Sequence, residues 1–224
     1  MTTHKTELPQ SSDWNYYWGL KTTEKFTKVS WSKTRIMAVL EKYVRNAKNV
    51  LDAGCGSGFF SKYFCDQGLE TFSLDYSSQA LDMARQKTQG RAKVLLFDLV
   101  SSQLKDKISR PFDLIFTDGL FEHFSASDQD KIMVNFKSVL SENGIIITFV
   151  PNRFSPWELI RPFYMPGIEE KPLTMKQLVE LNARNGLNIV EQGGVNTLPF
   201  SFSPDKTLGP AFGMLLFTAS KNNV

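Results

Sequence analysis

Three glycines at alternating positions, directly after a short apolar run, are the residues of this chain best suited to holding a ligand. The run Asn49–Asp52 has the composition of a buried strand and leads into Gly54, Gly56 and Gly58. Glycine lets the backbone adopt positive φ and approach a ligand without a Cβ in the way, and the following helix offers unpaired N–H groups at its start. The segment is therefore predicted to be a turn that holds a small anionic or zwitterionic cofactor.

The spacing of the glycines separates two classes of cofactor. A dinucleotide fingerprint, Gly-x-Gly-x-x-Gly, would need its third glycine at position 59, where the chain has Phe59. A nucleotide-dependent oxidoreductase is therefore the weaker alternative. The pattern Asp-x-Gly-x-Gly-x-Gly instead resembles the first motif of the class I S-adenosylmethionine (SAM)-dependent methyltransferases. This resemblance implies SAM as the cofactor, with its methionine end surrounded by Asp52, Ala53, Gly54, Cys55, Gly56 and Gly58.

Two further aspartates close the next two predicted strands. Asp75, followed by Tyr76, lies about 20 residues after the glycine turn, where an acid can accept hydrogen bonds from both ribose hydroxyls. Asp98, followed by Leu99, stands where the resemblance places an acid beside the adenine amino group. Either aspartate alone has the alternative role of a helix cap or a solvated turn. Together with the glycine turn, the two acids fit one adenosine-containing ligand.

The segment after the fourth predicted strand carries the candidates for chemistry. It begins with Asp118 and Gly119, which are expected beside the cofactor, and continues to Glu122 and His123. His123 is the candidate general base, with Glu122 beside it, because the unperturbed pKa of histidine is near neutrality. The alternative is structural, since members of the family commonly carry a Glu-His pair that packs near the cofactor. Methyl transfer mainly requires an acceptor held in line, so neither a nucleophile triad nor a metal site is expected.

The same segment and the aromatic residues indicate a class of acceptor. Family members that methylate nucleic-acid bases carry an Asn/Asp-Pro-Pro-aromatic motif where this chain has 117–120, so a base acceptor is disfavoured. A proline-rich segment at about 152–172 is predicted to be a lid, and its aromatic side chains suit a small, partly apolar acceptor such as a lipid, quinone, polyketide or aromatic metabolite. Alternatively, these aromatics only anchor the lid, and its arginines are solvated. The candidate acceptor-binding residues are Tyr17, Trp18, Arg153, Phe154, Trp157 and Tyr164.

Composition limits the remaining possibilities. The chain has 224 residues, a formal net charge of +3 and two cysteines, Cys55 and Cys65. Scattered basic residues argue against a nucleic-acid partner, and two cysteines do not make a disulfide framework. No apolar stretch is long enough for a membrane span, and the first ten residues lack a secretory signal, so a cytoplasmic location is expected. A SAM-binding regulatory protein without turnover remains an alternative to an enzyme.

The elements that must position these residues alternate between strand and helix. Residues 1–30 are predicted to be a partly loose aromatic cap, and 31–224 a single SAM-binding domain with the lid inserted. The alternation predicts an α/β, doubly wound, mostly parallel sheet with helices on both faces, and the resemblance adds seven strands with the last one antiparallel. Strands are expected at about 49–52, 70–75, 93–98, 112–117, 145–150, 187–191 and 213–219, and helices at about 32–45, 59–68, 77–90, 127–144 and 174–186, with a loop at 196–210.

Overall fold

One seven-stranded sheet organises the part of the chain that the structure, a computed structural model, describes: residues 11–159 and 170–223. Its strands are β1 (Asn49–Ala53), β2 (Glu70–Asp75), β3 (Lys93–Leu96), β4 (Phe112–Asp118), β5 (Leu140–Pro151), β6 (Leu187–Val195) and β7 (Leu215–Asn222). They lie in the order β3-β2-β1-β4-β5-β7-β6. The first five strands pair in parallel, and β7 is antiparallel to both β5 and β6. The predicted fold class, with seven strands and the last one antiparallel, is confirmed.

Seven helices surround this sheet in the described residues. They are α1 (Ser11–Gly19), α2 (Trp31–Val44), α3 (Phe59–Asp66), α4 (Ser78–Thr88), α5 (Ala126–Ser138), α6 (Met175–Arg184) and α7 (Asp205–Phe212). Side-chain caps fix several of their first residues. Ser77 accepts the N–H of Ala80 at the start of α4, and Thr174 and Gln177 form a reciprocal capping box at the start of α6.

The hydrophobic core lies on both faces of the sheet. Side chains alternate between the two faces of a strand, so Val50 of β1 joins a cluster with α2 and α3, whereas Leu51 joins a cluster with α5 and α6. All five residues of β1 are buried, as expected for a central strand of a parallel sheet covered on both faces. The site described below therefore rests on a tightly packed central strand.

The N-terminal segment is more ordered than its sequence suggests. Residues 1–30 were expected to be partly loose, but α1 begins at Ser11, and a 3-10 turn follows at Lys21–Thr27. Periodicity could not show this, because α1 has no single apolar stripe: Trp14 packs against His123, Trp18 packs on Gly56, and further ring contacts lie within residues 11–27. Residues 11–27 are hereafter called the cap. Residues 1–10, also expected to be loose, lie outside the described part.

The C-terminal third differs from its predicted pattern in two places. The expected loop at 196–210 contains α7, although Pro210 lies inside that helix. Asp205 stabilises its start, because the carboxylate accepts the N–H groups of Asn196 and Thr197 and forms an ion pair with Arg35 at 3.2 Å. β5 also begins earlier than expected, at Leu140, since a short additional pairing with the start of β4 precedes a bulge.

Candidate functional site

Strand order reverses between β1 and β4. From β1 the chain proceeds outward to β2 and β3 on one side and then returns to β4 and β5 on the other. Ligands of open α/β sheets bind beyond the carboxyl ends of the strands at such a point. The glycine turn after β1, Asp75 at the end of β2 and Asp118 at the end of β4 all lie on this edge. The topology thus brings together the segments that the sequence selected.

The glycine turn is held by hydrogen bonds inside the protein. Gly54, Gly56 and Gly58 all have positive φ, at 73°, 47° and 71°. The N–H groups of Gly54 and Cys55 donate to the carbonyl of Leu74, and that of Gly58 to the carbonyl of Cys55. The unpaired N–H groups that the sequence predicts for the cofactor belong to the start of α3, whereas these three are engaged within the fold. Their role is to fix the shape of the turn.

Asp75 links the glycine turn to the start of α4. Its two carboxylate oxygens accept the N–H of Gly56 at 2.9 Å and the N–H of Ser77 at 2.9 Å. The side chain is buried, and burial raises the pKa of Asp75 even though these backbone hydrogen bonds oppose the rise. The next residue, Tyr76, is 41% exposed. Asp75 therefore lies at the rim of the site in a fixed orientation.

Asp52 occupies a deeper position. Its carboxylate accepts the hydroxyl of Ser61 at 2.5 Å, and Ser61 in turn accepts from Ser73 at 2.8 Å. Burial, together with the negative charges of Asp118 and Asp75, raises the pKa of Asp52 to about 7. The neighbouring residues Ala53 and Cys55 are also buried. Hence Asp52 is a buried residue that links the end of β1 to α3 through Ser61.

Asp98 lies at the third strand tip and stabilises a turn. It accepts the N–H of Val100 at 2.8 Å and the hydroxyl of Ser101 at 2.5 Å, while Leu99 between them is buried. This geometry matches the turn alternative for a lone aspartate. A contact with adenine remains a prediction for Asp98 and Leu99.

Asp118 and Gly119 form the other wall of the site. Burial raises the pKa of Asp118 to about 6, although the positive charge of Lys33 opposes this rise. Gly119 has a φ of 76°, and a Cβ there would lie 3.3 Å from a carboxylate oxygen of Glu122. The bend at Gly119 thus places Glu122 directly beside the end of β4.

The cap covers the glycine turn. A Cβ on Gly56 would lie 2.6 Å from Cζ2 of Trp18, so the indole lies directly on the turn. Asn15 accepts the hydroxyl of Ser77 at 2.8 Å, next to Asp75 in the chain. Tyr17 is buried, and its ring centroid is 5.3 Å from that of Trp18. Trp18 therefore lies on the predicted cofactor turn with Tyr17 packed beside it, and the predicted role of both in acceptor binding stays a prediction. Asn15 is an addition that the sequence did not reveal.

The end of the cap is anchored through its backbone carbonyls. Ser57, in the glycine turn, donates to the carbonyl of Phe26 at 2.9 Å, and Lys87 of α4 donates to that of Thr27 at 2.8 Å. Lys33 binds the carbonyls of Phe26 and Lys28, and its burial lowers the lysine pKa to about 8. Thus the cap is joined to the elements that surround the glycine turn.

Glu122 and His123 meet a third polar residue, Glu170. One donor atom from each of the three lies within 4.8 Å of the others, a spacing that would also suit a divalent cation. The N–H of Lys171 donates to the carbonyl of Glu122 at 2.9 Å and fixes the two segments together. Trp14 of the cap packs edge-on against His123, with centroids 4.9 Å apart. No local pattern in the sequence marks Glu170 or Trp14 for this position, because they are brought to it by tertiary packing.

The lid candidates Arg153, Phe154 and Trp157 follow the end of β5. Phe154 is 66% exposed, Arg153 is exposed and Trp157 is half-buried. Their loop is tied toward α7, because Asn152 donates to the carbonyl of Ala211 at 3.0 Å. Tyr164 lies outside the described residues. A role of these four residues in acceptor binding remains a prediction.

A family model described as a methyltransferase domain matches residues 51–148, which include the glycine turn, β2 to β4 and the Glu-His pair. Over 98 residues the chain is 32% identical to a malonyl-acyl-carrier-protein O-methyltransferase from Hamiltonella defensa, covering 44% of this chain and 36% of that protein. Over 106 residues it is 35% identical to a glycine/sarcosine N-methyltransferase from Aphanothece halophytica, covering 45% and 39%. These matches span less than half the length of either relative.

Solved structures extend the similarity over nearly the whole chain. The N-methyltransferase NodS from Bradyrhizobium japonicum WM9, in complex with S-adenosyl-L-homocysteine (SAH), superimposes with a TM-score of 0.69 at 13% identity, covering 96% of this chain and 98% of that one. At this identity the likeness shows the fold alone.

Residues 51–148 thus match a methyltransferase domain, and they lie in a fold shared with solved SAM-dependent methyltransferases. These findings confirm three predictions: the resemblance to SAM-dependent methyltransferases, the enzyme class and SAM as the cofactor. The oxidoreductase alternative is not favoured. Within 11–159 and 170–223, no helix combines the length and apolar character needed to cross a membrane.

Proposed function

We propose that this protein transfers the methyl group of SAM to a small, partly apolar acceptor and that nucleic acid is not its substrate. One observation carries the proposal: the glycine turn with Asp75 and the Glu122–His123 pair lie on one sheet edge, and a single aromatic cap contacts both. This arrangement supports a transfer site in which the cofactor and the acceptor bind side by side beneath the cap.

The residues present fit SAM. Each oxygen of Asp75 accepts one backbone hydrogen bond, and a carboxylate has about four acceptor positions, so capacity remains for both ribose hydroxyls. Gly54 and Gly56 have positive φ and no side chain, and the side chains of Leu120 and Trp18 lie over them, so the methionine end of SAM would reach the backbone of the turn once Trp18 moves aside. Bound SAM supplies an electrophilic methyl group on a sulfonium centre.

Catalysis by the protein's own residues would consist mainly of placement. The cap aromatics Trp14, Tyr17 and Trp18 would exclude water from the space between the glycine turn and the end of β4, and they would hold the acceptor near the methyl group at about 3–3.5 Å. If the acceptor must lose a proton, His123 and Glu122 are the groups at hand.

Two binding measurements and one turnover measurement test this function. By calorimetry, SAM and SAH should bind while nicotinamide dinucleotides should not. Methyl transfer from radiolabelled SAM should then occur to at least one member of a panel of phenols, amines, hydroxyl and carboxylate compounds. Binding of SAM without methyl transfer to any compound of the panel would favour a regulatory SAM-binding protein. Absence of SAM binding would refute the proposal altogether.

A further inference from the structure

Two carboxylates and one imidazole converge at the acceptor side of the proposed site. Glu122, His123 and Glu170 each place a donor atom within 4.8 Å of the other two. Glu122 is only 2% exposed, so its carboxylate belongs to the interior of the site rather than to the solvated surface. The geometry is fixed, since the backbone hydrogen bond from Lys171 to Glu122 holds the segment of Glu170 against the end of β4.

Aromatic rings border this polar group. The ring centroid of Trp14 is 4.9 Å from that of His123 and 5.9 Å from that of Tyr17. Tyr17 is buried, and Glu170 is close enough for its negative charge to act on the phenol. Aromatic faces attract cations through their quadrupole, and carboxylates attract them through charge. The combination is complementary to an organic cation with an apolar body.

We propose that the methyl acceptor is an amine, bound as its ammonium form by the carboxylates of Glu122 and Glu170 against the rings of Trp14 and Tyr17. This inference rests on the proposed methyltransferase function and narrows its acceptor class. Carboxylate and phosphate acceptors are excluded by the same arrangement, because each would bring a negative charge beside two others. Alcohols and phenols lack the positive charge that this group of residues recognises.

The transfer step balances with the groups at hand. The bound ammonium loses one proton to the imidazole of His123, which leaves a nitrogen lone pair. That lone pair forms the new N–C bond to the methyl carbon while the C–S bond breaks and its electrons return to sulfur. The products are neutral SAH, in which sulfur is a thioether, and the N-methylated ammonium, which now carries the positive charge.

Binding of matched probes to the SAH-saturated protein tests the acceptor class without requiring turnover. The probes are 2-phenylethylamine, 2-phenylethanol and 3-phenylpropanoate, which share an aromatic body and differ in the polar group. The amine should bind at least about tenfold more tightly than either of the others, equivalent to about 1.4 kcal/mol. Equal or tighter binding of the alcohol or carboxylate, or no binding of any probe, would overturn the proposal.

Variants test whether the proposed residues cause the preference for the amine. Glu170→Gln should lower amine affinity about three- to tenfold and leave SAH affinity unchanged. The control Glu180→Gln lies on the exposed face of α6, where Glu180 pairs with Lys176, and should change neither affinity. If Mn²⁺ binds the wild type and not Glu170→Gln while the amine binds neither, the cluster is a metal site and the amine proposal is wrong. Failure of SAH itself to bind would refute the proposed function instead.

Discussion

The two sides of the sheet edge are built in different ways. On the cofactor side, segments that follow one another in the chain are joined by main-chain groups, as where the N–H of Gly56 donates to Asp75. On the acceptor side, Trp14, His123 and Glu170 come from three distant segments and meet through their side chains. The first side depends on backbone conformation, and the second depends on how the cap and the segment after β5 pack.

Because of this difference, we expect mutations on the two sides to have different effects. Changes on the cofactor side should affect stability or SAM affinity, because the backbone there has little freedom to adjust. Changes on the acceptor side should leave the sheet folded and alter which acceptor binds. The four experiments below test the cofactor side and its contact with the cap, beginning with the largest expected effect, and Glu170→Gln tests the acceptor side.

Replacing Gly58 by alanine should be the most damaging change. Alanine at a φ of 71° costs about 1–2 kcal/mol, and its Cβ would lie 2.8 Å from Cβ of Ala84 in α4, which adds about 1–3 kcal/mol of overpacking. Urea unfolding measures the total. Gly68→Ala is the matched control, since its φ is 83° but no atom lies within 4 Å of the new Cβ, so only the first cost applies. Equal losses in the two variants would show that packing on α4 is unimportant.

Asp75→Ala should weaken SAM binding by roughly 1.5–3 kcal/mol, the scale of hydrogen bonds to a charged group. The loss includes looser positioning of Gly56 and Ser77, whose N–H groups the carboxylate accepts. Calorimetry measures the change, with Asp82→Ala on the exposed face of α4 as a control that should bind SAM normally. Unchanged affinity in the first variant would remove Asp75 from the cofactor site.

Trp18 of the cap packs on Gly56 of the glycine turn. A double-mutant cycle measures the coupling free energy between these two residues. Gly56→Ala should destabilise the wild type, because the new Cβ would overlap the indole of Trp18. The same change in a Trp18→Ala background should cost about 1 kcal/mol less, a coupling typical of residues in contact. Thermal or urea unfolding of the four proteins gives the coupling, and a value near zero would mean that the cap does not rest on the turn in solution.

Asp52→Asn should change how stability depends on pH. The pKa of Asp52 in the folded protein, about 7, is above the ordinary 3.8, so the folded state binds more protons than the unfolded state between about pH 4 and pH 7. Stability should therefore fall as the pH rises through this window. Asparagine removes that contribution and still accepts from Ser61, so the melting temperature at pH 8 should rise by a few degrees. The variant should still lose some stability as the pH rises, because Asp118 also has a raised pKa, about 6. Identical pH profiles for variant and wild type would contradict the assignment.

The cofactor side could be predicted because its signals are local. Positive φ at Gly54, Gly56 and Gly58 and the strand-terminal position of Asp75 follow from residue type and spacing. The hydrogen bonds that fix the turn could not be predicted, among them those donated by the N–H groups of Gly54, Cys55 and Gly58. Pairing of Gly54 with Leu74 depends on strand register, which a single glycine pattern does not specify.

The acceptor side could be predicted only in part. Glu122 and His123 are adjacent in the chain and were selected together, and the aromatic cluster of the cap was expected to fold over something apolar. The meeting of Trp14 and Glu170 at His123 depends on tertiary packing between segments with no periodic pattern. For the same reason α7 was missed, since the charge pair between Arg35 and Asp205 that helps to stabilise it joins distant parts of the chain.

The cap has a consequence for biosynthesis. Residues 11–27 leave the ribosome before the elements that they contact, because Ser77, whose hydroxyl donates to Asn15, and His123, against which Trp14 packs, are made later. Until Glu122 and the segment of Glu170 have emerged, the aromatic side chains of the nascent cap have no completed surface to cover. Helix α1 is therefore translated before the surface that it covers and is among the last elements of the domain to dock.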